Sequence, residues 1–174
     1  LVVRGHLLDG VVCIVACDKT VPAAAMALGR LDVPGVVLYG GTINPGVYKG
    51  ERNVTVVSVY EAIGAYRAGK ISLEDLYEIE EGACPGAGAC GGQFTANTMA
   101  TVCEFLGLSP AGLNGIPAED PKKDEAARRA GELVMTLIHH DIRPSQLVTR
   151  NALENAIASV SATGGSTNAA LHLP

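Results

Sequence analysis

Val11-Val12-Cys13-Ile14-Val15-Ala16, running directly into Cys17-Asp18-Lys19-Thr20, is the stretch on which the fold turns. It is a short, continuous apolar run rich in β-branched residues and closed by polar ones. That pattern predicts a strand buried on both faces. Val21-Pro22 and an Ala/Met/Leu stretch from Ala23 to Arg30 follow. Straight-chain and alanine residues favour a helix, and Pro22 suits its first turn because no amide donor is needed there. Gly35-Val36-Val37-Leu38-Tyr39 then predicts a second buried strand, entering a Gly-rich loop over Gly40–Gly46.

Outward from this strand–helix–strand unit the chain becomes helical. Helices are expected over Ser58–Arg67 and over Ser72–Glu81, the latter with Ser72 as N-cap and Asp75 three residues on. Gly82–Gly92 reads as a Gly-rich loop holding Cys84 and Cys90, and Thr95–Gly107 as a helix with Gly107 at its C-cap. After a Pro/Gly loop over Leu108–Pro121, an amphipathic helix is expected over Lys123–Asp141 and another over Ala152–Val160. Strands alternating with helices predict an α/β fold: a three-layer α/β/α domain with a mostly parallel sheet.

The 174 residues can bury one substantial core, and 48% hydrophobic against 18% charged residues argues for a packed domain. The formal net charge is −5 and no Lys/Arg cluster stands out, which disfavours nucleic acid or an anionic membrane as partner. No apolar run is long enough to span a bilayer, and the start carries no signal-peptide pattern. The opening at Leu1 and the apolar ending at Leu171–Pro174 read as the ends of a fragment. Five cysteines, without Cys-x-x-Cys, fit a reducing compartment such as the cytoplasm, or an organelle.

Ligands of open α/β sheets bind beyond the carboxyl ends of the strands. Three loops could meet there: Cys17–Thr20, Gly40–Thr42 and Gly164-Gly165-Ser166-Thr167-Asn168. The first sets a thiolate, a carboxylate and an amine side by side. Sulfur suits iron–sulfur clusters and a carboxylate suits Mg²⁺. An ordinary strand-to-helix turn with solvated Asp18 and Lys19 fits the same residues. In Ala83–Gly92, glycines beside Cys90 allow close approach of a bulky ligand, and the helix after Phe94 favours a thiolate at its positive end. A tight loop with a merely buried cysteine fits as well. Gly164–Asn168 reads as a helix N-terminus, an N-cap or an anion site. His139-His140-Asp141 reads as helix capping, and Cys13 and Cys103 as core thiols. No Gly-x-Gly-x-x-Gly follows the first strand, which argues against a dinucleotide domain.

Cys17-Asp18-Lys19, Gly88-Ala89-Cys90-Gly91-Gly92-Gln93-Phe94-Thr95-Ala96-Asn97-Thr98-Met99 and Gly164–Asn168 resemble, in order and spacing, the signature segments of dihydroxy-acid dehydratases. Tyr39–Ile43 and Pro117–Pro121 are similar too, so the resemblance covers essentially the whole chain. It implies that residues 1–174 are the amino-terminal, cluster-binding domain of a longer enzyme with a carboxyl-terminal domain. That enzyme would dehydrate 2,3-dihydroxy-3-methyl acids to 2-oxo acids on the route to valine, isoleucine and leucine. It further implies that Cys17 and Cys90 match ligands of a [2Fe-2S] or [4Fe-4S] cluster, with a third cysteine upstream. Asp18 and a carbamylated Lys19 match Mg²⁺ ligands. Mg²⁺ would hold the substrate carboxylate and C2 hydroxyl, an open iron the C3 hydroxyl, and the catalytic base would lie in the carboxyl-terminal domain. A homodimer acting on a small dihydroxy acid is the implied assembly.

Cys-Gly-Gly followed by Thr-Ala-Asn-Thr-Met is the branched-chain type of the second segment. A sugar-acid dehydratase of the same superfamily and a non-catalytic domain retaining the fold are the alternatives. The chain departs from the family pattern at Ala23, where glycine is usual, and at Gln93-Phe94, where Met-Tyr is common.

Overall fold

The computed structural model describes residues 1–174. In chain order the elements are α1 (Val2–Gly5), β1 (Val11–Val15), α2 (Thr20–Leu31), β2 (Gly35–Tyr39), β3 (Gly46–Tyr48), β4 (Glu51–Val54), α3 (Val56–Arg67), α4 (Leu73–Ala83), α5 (Thr95–Phe105), α6 (Lys122–His139), α7 (Pro144–Leu147), α8 (Arg150–Ala162) and α9 (Ala169–His172). β1 and β2 pair in parallel, from Val11 opposite Gly35 to Val15 opposite Tyr39. α2 is the crossover between them, as the unit at the start of the chain predicts.

The side chains of β2 alternate between two cores. Val37 and Tyr39 join Val21, Leu28, Met99, Val102 and Cys103 on the side of α2, α5 and α8. Val36 and Leu38 join Ala126, Ala130 and Leu137 of α6 on the other. Because successive strand residues face opposite ways, all five positions of β2 are buried. The result is the expected α/β/α layering around a parallel sheet of only two strands.

Three local readings are corrected or extended. β1 is not buried on both faces: Ile14 is 68% exposed, since β1 pairs only with β2 and its other edge carries no strand. Cys13 is accordingly half-buried, whereas Cys103 lies in the core as expected. The segment after Gly46 also holds an unanticipated antiparallel hairpin, β3–β4, turning through Lys49 and Gly50, both at positive φ. That is the mirror-image two-residue turn that matches strand twist. Ser72 caps α4 reciprocally with Asp75, as read from the sequence. Gly107 follows α5 at φ +75, the left-handed position of a helix end.

Candidate functional site: two cysteine loops on one cavity

The carboxyl end of β1 opens onto a cavity of about 890 Å³. Cys17, Asp18 and Thr20 line it from the first loop, and Gly88, Cys90 and Thr95 from the second. Both cysteines are exposed. Ile14, Val15, Val56, Tyr60 and Phe94 form most of the remaining wall, which is therefore largely apolar. Cys84 closes α4, is exposed, and does not line the cavity.

The Cys17 turn is built locally. The Cys17 amide donates to the Thr20 hydroxyl (3.0 Å), which donates back to the Cys17 carbonyl (3.2 Å). Val21 N–H reaches that same carbonyl at 3.1 Å, so the turn merges with the start of α2. The thiol of Cys17 stands 3.6 Å from Asp18 Oδ1. Lys19 does not line the cavity. Its Nζ lies 3.6 Å from Asp18 Oδ2 and donates to His172 Nε2 of α9 at 3.3 Å.

The Cys90 loop is held at long range. Ala89 forms an isolated parallel bridge with Thr42: its amide donates to the Gly41 carbonyl (3.0 Å), and its carbonyl accepts from Ile43 (2.8 Å). Glycine is required on both sides of that bridge. Gly88 sits at φ +142, where a Cβ would fall 2.3 Å from Ile43 N; Gly41 sits at φ +107, where one would fall 2.6 Å from Ala118 N. Asn97 on α5 donates to the carbonyls of Cys90 (3.2 Å) and Gly92 and accepts from the Tyr39 hydroxyl (2.8 Å).

Tyr39 is buried and reaches the Cys90 loop through Asn97. Its hydroxyl is pushed well above the ordinary tyrosine value, by burial first and then by the electrostatic influence of Cys90 and Cys17. The sequence reading missed Tyr39 and the Asn97 clamp.

The third motif supports the second. Ser166 Oγ lies 2.8 Å from Thr95 Oγ1, Asn168 Nδ2 donates to Thr95 at 3.0 Å, and the Ser166 amide donates to Thr98 at 2.9 Å. These contacts fasten Gly164–Asn168 to the first turn of α5, beside the Cys90 loop. None of its residues lines the cavity. Thus the structure brings Cys17, Asp18 and Cys90 to one cavity, sets Lys19 just outside it, and makes Ser166 and Asn168 a brace. No group of three or more His, Cys, Asp or Glu side chains stands together as a metal site.

Residues 1–174 match the model of the dihydroxy-acid/6-phosphogluconate dehydratase N-terminal family. The chain belongs to that family. Proteins named dihydroxy-acid dehydratase from Koribacter versatilis and Thermus thermophilus are 59% and 56% identical to it over 99% of the chain. One from Parvibaculum lavamentivorans is 53% identical over the whole of this chain. The chain spans about 30% of the length of each of these relatives. Within this domain, the cavity is the place where Cys17, Asp18 and Cys90 converge.

Proposed function

We propose that the protein carrying this chain is a hydro-lyase. It would convert 2,3-dihydroxy-3-methylbutanoate and its methylpentanoate homologue to the 2-oxo acids that lead to valine, isoleucine and leucine. The observation that carries this reading is the convergence of Cys17, Asp18 and Cys90, distant in sequence, on one largely apolar cavity.

The donors present suit the family's cofactors. Two exposed thiols are soft donors for an iron–sulfur cluster, either [2Fe-2S] or [4Fe-4S], and a neighbouring carboxylate is a hard donor for Mg²⁺. Cys17 and Cys90 would hold the cluster. Asp18 and a carbamylated Lys19 would hold Mg²⁺. Lys19 as an ammonium beside Asp18 would repel a dication; carbamylation of its Nζ would set two anionic oxygen groups side by side, a pairing that a cation relieves. Bound there, these groups supply the Lewis acidity that eases loss of a hydroxyl. The remaining ligands and the base would come from the rest of the whole protein, a cytoplasmic homodimer on this reading.

The chain's own contribution is shape and position. Val15, Val56, Tyr60 and Phe94 offer an apolar wall that suits a methyl-branched carbon skeleton. A polyhydroxy sugar acid would need donors and acceptors along its length, and this wall offers few beyond Asp18 and the Thr20, Tyr60 and Thr95 hydroxyls. The test is turnover by the full-length protein, reconstituted anaerobically, on 2,3-dihydroxy-3-methylbutanoate and on a polyhydroxy acid of similar length. Preference for the branched acid is expected. Preference for the polyhydroxy acid would move the protein to the sugar-acid branch, and turnover of neither would leave a domain that keeps only the fold.

A further inference from the structure

Asn97 has both of its side-chain donors and one of its two acceptor positions committed. Both Nδ2 hydrogens go to carbonyls of the Cys90 loop, those of Cys90 (3.2 Å) and Gly92, and Oδ1 accepts from Tyr39 (2.8 Å). The two loop carbonyls can only accept, so they fix the amide's sense: Nδ2 faces the loop, and Oδ1 is left to accept from the Tyr39 hydroxyl, which anchors it. Tyr39 is itself immobilised. It is 1% exposed, its amide donates to Asn114 Oδ1 (3.2 Å), and its carbonyl accepts from Lys123 Nζ (3.1 Å). A fixed phenol therefore orients an amide that grips the backbone on both sides of Gly91.

We propose that Asn97, oriented by Tyr39, is a positioning residue that sets where the Cys90 thiolate stands in the cavity. Its relevance to a cluster rests on the function proposed above, but its effect on the thiol does not. Asn97→Asp tests the grip with almost no change in volume. It replaces two donors by an oxygen that faces two carbonyls, so the loop is repelled where it was held. Tyr39→Phe removes only the orienting hydroxyl and serves as the milder second variant.

The experiment uses full-length protein in two forms. In the cluster-free form, alkylation of each cysteine by iodoacetamide is timed by peptide mass mapping. In the iron- and sulfide-reconstituted form, the visible absorption spectrum and the half-life of the colour in air are recorded. In Asn97→Asp, alkylation of Cys90 should change by about tenfold, the scale of a buried hydrogen-bond pair lost, with Cys17 within about twofold of wild type. The reconstituted variant should show an altered spectrum and a shorter half-life. Tyr39→Phe should move the same readouts in the same direction by about threefold. If Cys17 and Cys90 shift together, or neither shifts in the folded variants, the positioning role is wrong. Wild type that takes up no cluster while Cys90 alone still responds would refute the cofactor and leave the positioning role standing.

Discussion

The Cys17 turn is held by residues next to it in sequence, the Cys90 loop by residues far from it. Around Cys17 the contacts run to Thr20 and Val21, within the opening of α2. Around Cys90 they run to Gly41, Ile43, Asn97 and, through Asn97, to Tyr39. Two loops that face one cavity thus depend on different parts of the chain. The first forms whenever β1 and α2 form. The second exists only once β2, its following loop and α5 have assembled, so its thiol is the one that reports on tertiary packing.

The largest way to break this contrast is at the bridge between Gly41–Ile43 and Ala89. Gly88→Ala puts a side chain at φ +142 and against the Ile43 backbone. A loss of about 3 kcal/mol in stability is expected, read by urea unfolding, from strain plus a displaced bridge. Alkylation of Cys90 should accelerate while that of Cys17 stays close to wild type. Equal acceleration at both would show that the loops are not separately held.

The converse variant is smaller. Thr20→Val keeps the shape but deletes the hydroxyl that bonds both the amide and the carbonyl of Cys17. Because the turn is solvent-accessible, about 1 kcal/mol is expected. Here Cys17 should become the more reactive thiol and Cys90 should be unchanged, the mirror of the Gly88 result.

That contrast also explains what could be read from the residues alone. The β1–α2–β2 unit and the α4 cap depend on local pattern: a β-branched run, an alanine-rich stretch, and Ser72 three residues before Asp75. The Cys17 turn was legible for the same reason. Ile14 was misread because apolar composition does not reveal that its strand lies at an edge. The β3–β4 hairpin was missed because its strands are three and four residues long and Glu51-Arg52-Asn53 is polar. Lys49-Gly50 was its one available signal, weaker than the Asn-Gly usual in such turns. Asn97 and Tyr39 lay within segments that carry the family resemblance, yet their partnership is a contact between α5 and β2 that no local pattern encodes.

The smallest effect should leave both loops untouched. Asp75 ties α4 to the hairpin through the Tyr48 hydroxyl and Lys49, and accepts from Ser72 at its own helix cap. The Lys49 ammonium first, and then the Ser72 and Tyr48 hydroxyls, hold its carboxyl well below the usual carboxylate value. A depressed folded-state value means that the stabilisation is present above about pH 4 and is lost as pH falls further. The melting temperatures of wild type and Asp75→Asn should therefore differ at neutral pH and converge in acid, with Cys17 and Cys90 alkylation unaltered. A gap that persists undiminished in acid would contradict the ion pair's role.

On the proposed function, Cys17 and Cys90 serve one cofactor in one dehydration. Full-length wild type, Cys17→Ser and Cys90→Ser should be reconstituted anaerobically with iron, sulfide and Mg²⁺. Bound iron, visible absorption and 2-oxo acid formation from 2,3-dihydroxy-3-methylbutanoate are then measured on the same samples. The expected result is a coloured, active wild type, with colour and turnover lost together in both variants. A wild type that binds no iron, or a serine variant that keeps both cluster and activity, would contradict it.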